Sequence, residues 1–172
     1  MKNWPCFVAA PVVMFTPAAQ ATSYLSVEQA QQAIFPGKQL TAIAPKISDT
    51  QRRLIARKSG ISDPGRDPRI WRVAGGGWFF VDEVLGKHEL ITYALGIGTD
   101  GRVRGVEILE YREAYGYQIR NKEWRGQFVG RTAADPLELD RDVKNISGAT
   151  LSCRHVTDAI KRLLALHEAV LT

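Results

Sequence analysis

Cysteine is scarce in this chain. Its 172 residues include two cysteines, Cys6 and Cys153, and Cys6 lies in an N-terminal segment that has the features of a secretory signal. Removal of that segment leaves Cys153 without a partner for an internal disulfide. A thiol-exchange role is not expected either, because no second cysteine lies at redox-motif distance. We expect Cys153 to be a small buried packing residue, and the apolar core to supply the stability.

Histidine and long apolar runs are also lacking. His88, His155 and His167 do not show the spacing of metal ligands, so each is expected to be a surface histidine and no metal is predicted. Of the three, His155 lies nearest in sequence to a ligand bound at the start of the C-terminal helix. The apolar run from Phe7 to Phe15 is shorter than the roughly 20 residues that a membrane-spanning helix needs. No membrane span is predicted in the mature chain.

Basic motifs of nucleic-acid-binding proteins are absent too. Lysine and arginine number 23 against 18 acidic residues, but they are scattered and no aromatic residues alternate with them in an RNP-like pattern. We interpret them as solvated surface and expect no nucleic-acid partner. Weak steering toward an anionic partner stays open. Apolar residues make up 45 %, which is typical of one globular domain.

The N-terminal segment resembles a secretory signal. Lys2 precedes the apolar run, and Ala19-Gln20-Ala21 supplies the small-x-small pattern of a cleavage site. We expect residues 1–21 to be removed and the mature protein to be soluble and exported, as in a periplasm. The alternative is an N-terminal arm that stays with the protein.

Two short helices are predicted in the next part of the chain. Ser26 and Gln29 form a capping box at the start of the first helix, and Pro36-Gly37 ends it. The second helix begins at Asp49 and ends at Gly60, with basic residues in its last turn. Residues 22–69 are interpreted as an N-terminal extension that packs on a domain formed by residues 70–172.

Four β-strands follow. They are predicted from segments rich in β-branched and aromatic residues: RIWRVA, GWFFVDEVL, ELITYALGIGT and RVRGVEILEY. Gly75-Gly76-Gly77 joins the first two as a flexible turn, since it lacks the lysine and the spacing of a P-loop. Asp100-Gly101 is a hairpin signal between the last two. Because no helix intervenes, we expect an antiparallel meander.

The C-terminal part contains the most strongly amphipathic helix. Before it, we predict a short helix around Trp124 to Val129 and one strand at Pro136 to Leu139. Apolar residues from Val156 to Val170 follow helical spacing, and four charged residues are expected on the opposite side: Arg154, Asp158, Lys161 and Arg162. The predicted fold class is α+β, an antiparallel meander packed against this helix and the short N-terminal helices.

A small, hydroxyl-bearing tetrapeptide, Ser147-Gly148-Ala149-Thr150, precedes the terminal helix. A helix N-terminus offers unpaired N–H groups and a positive dipole end, which suit a phosphate. Gly148 permits close backbone approach, and Ala149 keeps the wall small. Thr150 is either a hydrogen-bond donor to phosphate or an oxygen nucleophile that another enzyme esterifies. The alternative is a capping loop in which Thr or Ser satisfies the helix N–H groups.

The run Asp142-x-x-x-x-Ser147-Gly148-Ala149-Thr150-Leu151-Ser152 resembles the flavinylation motif of the FMN-binding domain family. That family includes the flavin-carrying subunits of sodium-pumping NADH:quinone reductase and of Rnf complexes. The resemblance implies FMN bound covalently to Thr150 by a phosphoester, attached by a separate Mg²⁺-dependent FAD:protein FMN transferase. It also implies that the cofactor site and its recognition context include the flanking residues Asp142, Ser147, Gly148, Ala149 and Leu151.

A second match lies upstream. Family members carry a Glu-Thr-Pro-Gly-like turn after a strand, where this chain has Glu113-Ala114-Tyr115-Gly116. Ile119, Trp124, Gln127-Phe128 and Gly130 then match in order and spacing. The resemblance implies that Glu113, Tyr115 and Gly116 belong to the flavin site. Four aromatic residues are expected near the flavin ring, although each fits the core equally well: Tyr115, Tyr117, Trp124 and Phe128.

The resemblance implies an electron-transfer carrier. FMN on Thr150 would accept electrons from one redox partner, membrane-bound or periplasmic, and pass them to another, and no catalytic residue is predicted. One alternative is a flavin-dependent reductase that acts directly on a small substrate. Another is a non-redox interaction domain in which the motif is only a helix cap.

Overall fold

The computed structural model describes residues 22–62, 65–113 and 115–172. The predicted signal segment at residues 1–21 lies outside these described residues, and so does Ala114, which stands where the resembled motif has threonine.

Six strands and four α-helices form the described part of the chain. The strands are β1 (Thr22–Ser23), β2 (Leu40–Ile43), β3 (Arg69–Val73), β4 (Trp78–Leu85), β5 (Leu90–Ile97) and β6 (Val103–Tyr111). The helices are α1 (Val27–Ile34), α2 (Asp49–Ser59), α3 (Lys122–Gly126) and α4 (Thr150–Leu166). A 3₁₀ turn at Tyr117–Arg120 precedes α3, and a π-helical turn at His167–Leu171 continues α4.

All the strands pair antiparallel in one sheet, in the order β1-β6-β5-β4-β3-β2. The four predicted strands are its centre, and the glycine turn and the Asp100-Gly101 hairpin join them as expected. The two edge strands, β1 and β2, were not predicted. The antiparallel meander is therefore confirmed, with a short strand added at each edge.

Helices cover both faces of the sheet. On β4, Phe79 and Val81 pack in the core on the α1 side, whereas Phe80 packs in the larger core shared with α2 and α4. This alternation follows from the two-residue period of a strand. On β5, every residue from Ile91 to Ile97 is buried, because helices lie on both sides of it. The α+β class predicted from the sequence is confirmed.

The two N-terminal helices begin and end on the predicted signals. Ser26 and Gln29 form the capping box of α1, and a second box that the sequence analysis missed, Ser48 with Gln51, starts α2. Gly60 ends α2 in the left-handed conformation. Helix α2 packs against α4, and β2 extends the sheet beside β3.

Three local predictions were wrong. The short helix spans Lys122–Gly126 rather than Trp124 to Val129, because residues 127–129 donate to the carbonyls three residues back and form a tighter turn. Pro136 to Leu139 is not a strand; Leu139 forms a single parallel bridge with Val143. Arg162 is not on the solvated side of α4, because its guanidinium is buried in an ion pair with Asp82 of β4.

Within the described residues, no helix is both long enough and apolar enough to cross a membrane.

Candidate functional site

Helix α4 begins at the predicted motif without a side-chain cap. Its N-cap residue is Ala149, which has no side-chain acceptor, and in the described part of the chain no other side chain bonds to the N–H groups of the first turn. The capping alternative for Ser147 and Thr150 is therefore not supported by the geometry. The first turn keeps its N–H groups and its positive dipole end for another acceptor.

Thr150 lies exposed at the start of α4, and a neighbouring amide orients its hydroxyl. The Nδ2 of Asn145 donates a hydrogen bond to Thr150 Oγ1 over 3.2 Å, and the Oδ1 of the same amide accepts from the N–H of Ile146 at 2.8 Å. Asn145 was not among the predicted residues. The amide uses one lone pair of the hydroxyl oxygen and leaves its proton free.

The motif loop packs closely on the turn that follows β6. Gly116 has φ +89°, and a Cβ there would lie 2.6 Å from Tyr111 Oη and 2.7 Å from Ala149 Cβ. Only glycine allows this approach and this backbone conformation together. Gly148 also has a positive φ of +81°, which lets the loop turn into the helix. The structure thus brings the two predicted segments into contact.

Tyr111, at the end of β6, connects these segments by hydrogen bonds. Its hydroxyl donates to the carbonyl oxygen of Tyr115 at 2.5 Å, and therefore accepts from the Ser152 hydroxyl at 3.2 Å. Because one phenol contacts both the turn and the first turn of α4, their relative position is fixed.

Glu113 connects the turn after β6 to the turn between β4 and β5. Its Oε1 accepts hydrogen bonds from the N–H groups of His88 at 2.6 Å and Glu89 at 3.1 Å. Burial opposes the charge, but these bonds and one from Lys87 outweigh it, so the pKa of Glu113 lies below its ordinary value. The carboxylate therefore holds the β4–β5 turn in place.

A cleft of about 420 Å³ opens between these segments, and we call it the motif cleft. It is lined by Lys87, His88, Glu113, Tyr115, Gly148, Ala149, Thr150, Leu151 and Ser152. Of the predicted site residues, Ser147 and Gly116 do not line it, although Gly116 supports Ala149 from behind. Lys87 and His88 were missed, because a Lys-His pair in a hairpin turn has no motif spacing.

The remaining parts of the second match hold the chain that leads to the motif. Trp124 Nε1 donates to the carbonyl oxygen of Lys144 at 2.8 Å, and the N–H of Lys144 donates to Gln127 Oε1 at 2.7 Å. The Asp142 carboxylate accepts from the N–H groups of Leu137 and Glu138. These residues shape the approach to the motif and do not line the cleft.

The four aromatic residues divide into two groups. Tyr115 lines the motif cleft and is 81 % exposed, and Tyr117 is exposed nearby on the 3₁₀ turn. Trp124 and Phe128 are buried in the larger core and contact each other edge to face. For Trp124 and Phe128 the alternative, a position in the core, therefore replaces the expectation that they lie near the flavin ring.

The histidine and cysteine predictions have different outcomes. Cys153 is fully buried, as predicted, and burial raises the pKa of its thiol. His167 is buried, so its prediction as a surface residue was wrong, and burial lowers the pKa of its imidazole. His155 does not line the motif cleft; it borders a neighbouring cleft of about 500 Å³ that is larger but contains none of the motif residues. Size alone would favour that cleft, whereas the exposed hydroxyl and the uncapped helix start favour the motif cleft.

Comparison with protein families matches residues 86–165 to the FMN-binding domain. The matched region extends from the β4–β5 turn to the last turn of α4, so it includes both segments that form the motif cleft. No curated protein matches the chain.

Proposed function

We propose that this chain, whose residues 86–165 match the FMN-binding domain, is a flavin-binding redox protein that carries FMN through a phosphoester to Thr150. The observation that carries this proposal is an exposed Thr150 hydroxyl at an uncapped helix start, on the wall of an open cleft. A hydroxyl that served as a cap would instead be bonded to the helix N–H groups.

The size and the lining residues of the motif cleft suit FMN. Its volume of about 420 Å³ falls within the range of roughly 300–1,000 Å³ that cofactor sites occupy. A phosphate on Thr150 would meet the free N–H groups of the first turn of α4. Lys87 also lines the cleft, where its ammonium adds a positive charge to the site.

Attachment requires a second enzyme, an FAD:protein FMN transferase. In that reaction the Thr150 oxygen forms a bond to the FMN phosphorus as the bond to AMP breaks, and the hydroxyl proton is released. The amide of Asn145 donates a hydrogen bond to the Thr150 oxygen, so the one lone pair that remains can face the incoming phosphorus. The exposed motif residues Ser147 and Gly148 make the loop accessible to such an enzyme.

A carrier of electrons fits the motif cleft better than a self-contained reductase does. The flavin supplies reversible redox chemistry, and the protein supplies attachment and orientation. The Glu113 carboxylate is occupied by backbone N–H groups, so it is poorly placed to act as an acid or base. Tyr115 leaves one wall open to solvent, where a redox partner can approach.

The reductase alternative remains, and the larger neighbouring cleft is the observation that favours it. A reductase would turn over with a small acceptor in the absence of any protein partner. An interaction domain would be colourless after co-expression with the transferase.

We further propose that residues 1–21 are a secretory signal, that residues 22–69 are an extension packed on the domain of residues 70–172, and that the mature protein acts in the periplasm or a similar exported location. The signal-like composition of the N-terminus supports export. Edman sequencing of the secreted protein tests it, with Thr22 expected as the first residue.

Intact-mass spectrometry after co-expression with the transferase tests the attachment. We expect the mass of one FMN less water on the wild type and none on Thr150→Ala. Two variants serve as controls: Thr150→Ser keeps a hydroxyl, and Ser147→Ala removes a different one. An FMN increment that persists in Thr150→Ala would contradict the assignment, as would none on the wild type with an active transferase.

A further inference from the structure

A second cleft borders the same β4–β5 turn that forms one wall of the motif cleft. It has a volume of about 500 Å³, and the residues that define it here are Val84, Leu85, Leu90, His155, Asp158 and Ala159. We propose that this hairpin cleft binds a small aromatic molecule that carries a hydrogen-bond-donating hydroxyl group. Nothing in the proposed flavin attachment requires such a site.

The apolar wall of the hairpin cleft is contiguous. Leu85 and Leu90 are register partners at the ends of β4 and β5, and they are 55 % and 37 % exposed. Single exposed leucines are common on protein surfaces, but these two lie side by side and open onto a concave space. Val84 and Ala159 extend the same surface. An apolar ligand body would remove this surface from water.

His155 presents a hydrogen-bond acceptor at the edge of this wall. Its Nδ1 lies 2.5 Å from the carbonyl oxygen of Leu85. A carbonyl oxygen only accepts, so the proton must be on Nδ1. In the neutral imidazole, Nε2 then keeps its lone pair as an acceptor.

Asp158, almost one turn further along α4, presents a second acceptor. Its side chain is partly buried, and among residues 22–62, 65–113 and 115–172 it forms neither a hydrogen bond nor an ion pair. Burial raises the pKa of this carboxyl, while His155, Arg154 and Lys161 act in the opposite direction. A partly desolvated carboxylate without a partner is costly unless a donor reaches it.

Two acceptors beside an apolar wall require a ligand with a donor, and the surrounding charges favour a neutral one. Arg154 and Lys161 already offset the charge of Asp158. Arg66 and Glu83, which also line the cleft, pair with each other at 3.2 Å. Because both carboxylates of the cleft are already offset or paired, the cleft offers a cationic amine no uncompensated negative charge. A phenolic hydroxyl donates strongly without a charge, and its ring fits against the leucines.

The site lies close to the attachment residue. His155 follows Thr150 by five positions, which corresponds to about 7.5 Å along the helix axis. If FMN is attached as proposed, the ligand lies next to it; that neighbourhood rests on the proposed function, whereas binding itself does not.

Isothermal titration calorimetry with 4-propylphenol tests the proposal, and 4-propylanisole, which lacks the donor, is the matched probe. The full chain is titrated in its flavinylated form and as Thr150→Ala, so that a failure of flavinylation leaves the binding result readable. We expect the phenol to bind both forms, and the anisole to bind roughly tenfold more weakly, as expected for one hydrogen bond to a charged acceptor.

Substitutions on the protein side locate the contact. Asp158→Ala should weaken the binding of the phenol roughly tenfold and leave the affinity for the anisole unchanged. Asp158→Asn keeps a carbonyl acceptor, so its affinity for the phenol should fall less. Glu123→Gln is the control, because Glu123 is an exposed carboxylate on α3 away from the cleft. Circular dichroism confirms that each variant is folded.

Three results would overturn the proposal. The first is no phenol binding, or equal affinity for phenol and anisole. The second is an Asp158→Ala effect no larger than that of Glu123→Gln. The third is binding to Thr150→Ala but not to the flavinylated chain, which would show that the flavin itself occupies the hairpin cleft.

Discussion

Removal of one partner from the Asp82–Arg162 ion pair should destabilise the protein severely. The Arg162 Nη2 lies 2.6 Å from Asp82 Oδ2, and the two side chains are 8 % and 1 % exposed. Tyr93, fully buried, donates to the same carboxylate oxygen at 2.9 Å. Arg162→Met leaves this buried carboxylate without its cation. Loss of one partner of a buried pair costs about 3–5 kcal/mol, and the thermal midpoint should fall by about 6–20 °C.

The intact pair is not expected to stabilise the fold by the same amount. Burial raises the pKa of Asp82 above its ordinary value, and the attraction of Arg162 does not restore it. The pair therefore recovers less than its desolvation costs. Asp82→Asn with Arg162→Met removes both charges and still leaves an oxygen to accept from Tyr93. We expect the free energy of unfolding of this double variant to lie within about 2 kcal/mol of the wild-type value and well above that of either single variant.

Urea unfolding followed by tryptophan fluorescence measures these free energies. The control is Arg141→Met, because Arg141 and its partner Glu138 have side chains that are 69 % and 50 % exposed, and an exposed ion pair contributes little to stability. The reasoning is refuted if Arg162→Met loses no more stability than Arg141→Met. It is also refuted if the double variant loses the sum of the two single losses.

Other changes test the site and the pH dependence. Glu113→Gln should speed hydrogen exchange at residues 86–89 and lower the flavinylation yield, because a neutral amide accepts less strongly from the turn; unchanged exchange would show that the carboxylate is dispensable. Gly116→Ala should lower the free energy of unfolding by about 2–4 kcal/mol, because its Cβ would meet atoms at 2.6 and 2.7 Å and its φ is +89°. Gly126→Ala is the control and should not destabilise the protein, because the space around Gly126 is open. Equal effects of the two substitutions would contradict the packing argument. Burial lowers the pKa of His167, so the native state binds fewer protons than the unfolded state, and stability should fall as the pH drops below about 6.5; His167→Gln should flatten this part of the profile, and a profile unchanged by the substitution would exclude His167 as the cause.

Local signals in the sequence predicted most of the fold. The capping box at Ser26 defined the start of α1, Gly60 defined the end of α2, and strand-forming segments defined the four central strands, because each signal acts over a few neighbouring residues. The edge strands β1 and β2 were missed since they are only 2 and 4 residues long. Segments that short carry too few residues to show a period, and pairing with a neighbouring strand determines them.

Arg162 shows where helical periodicity misleads. A charged residue among polar neighbours is assigned to the solvated face, and that assignment is correct unless a partner is buried opposite. The partner is Asp82 on β4, 80 residues away in sequence. No local pattern reports such a pairing. His167 was misassigned for the same reason, since burial depends on what packs over the end of α4.

The candidate site was predicted where it is linear and missed where it is assembled. The Ser147–Thr150 motif is continuous, whereas Lys87 and His88 reach the cleft only because Glu113 holds their turn. Contacts between residues distant in sequence also explain the spacing of the second match. Gly116 makes room for Ala149, and Trp124 and Gln127 both bond to the backbone of Lys144. These three matched residues thus contact the motif or the chain leading to it. A variant that keeps the tetrapeptide but loses these contacts should still present Thr150, yet hold it less rigidly for the transferase.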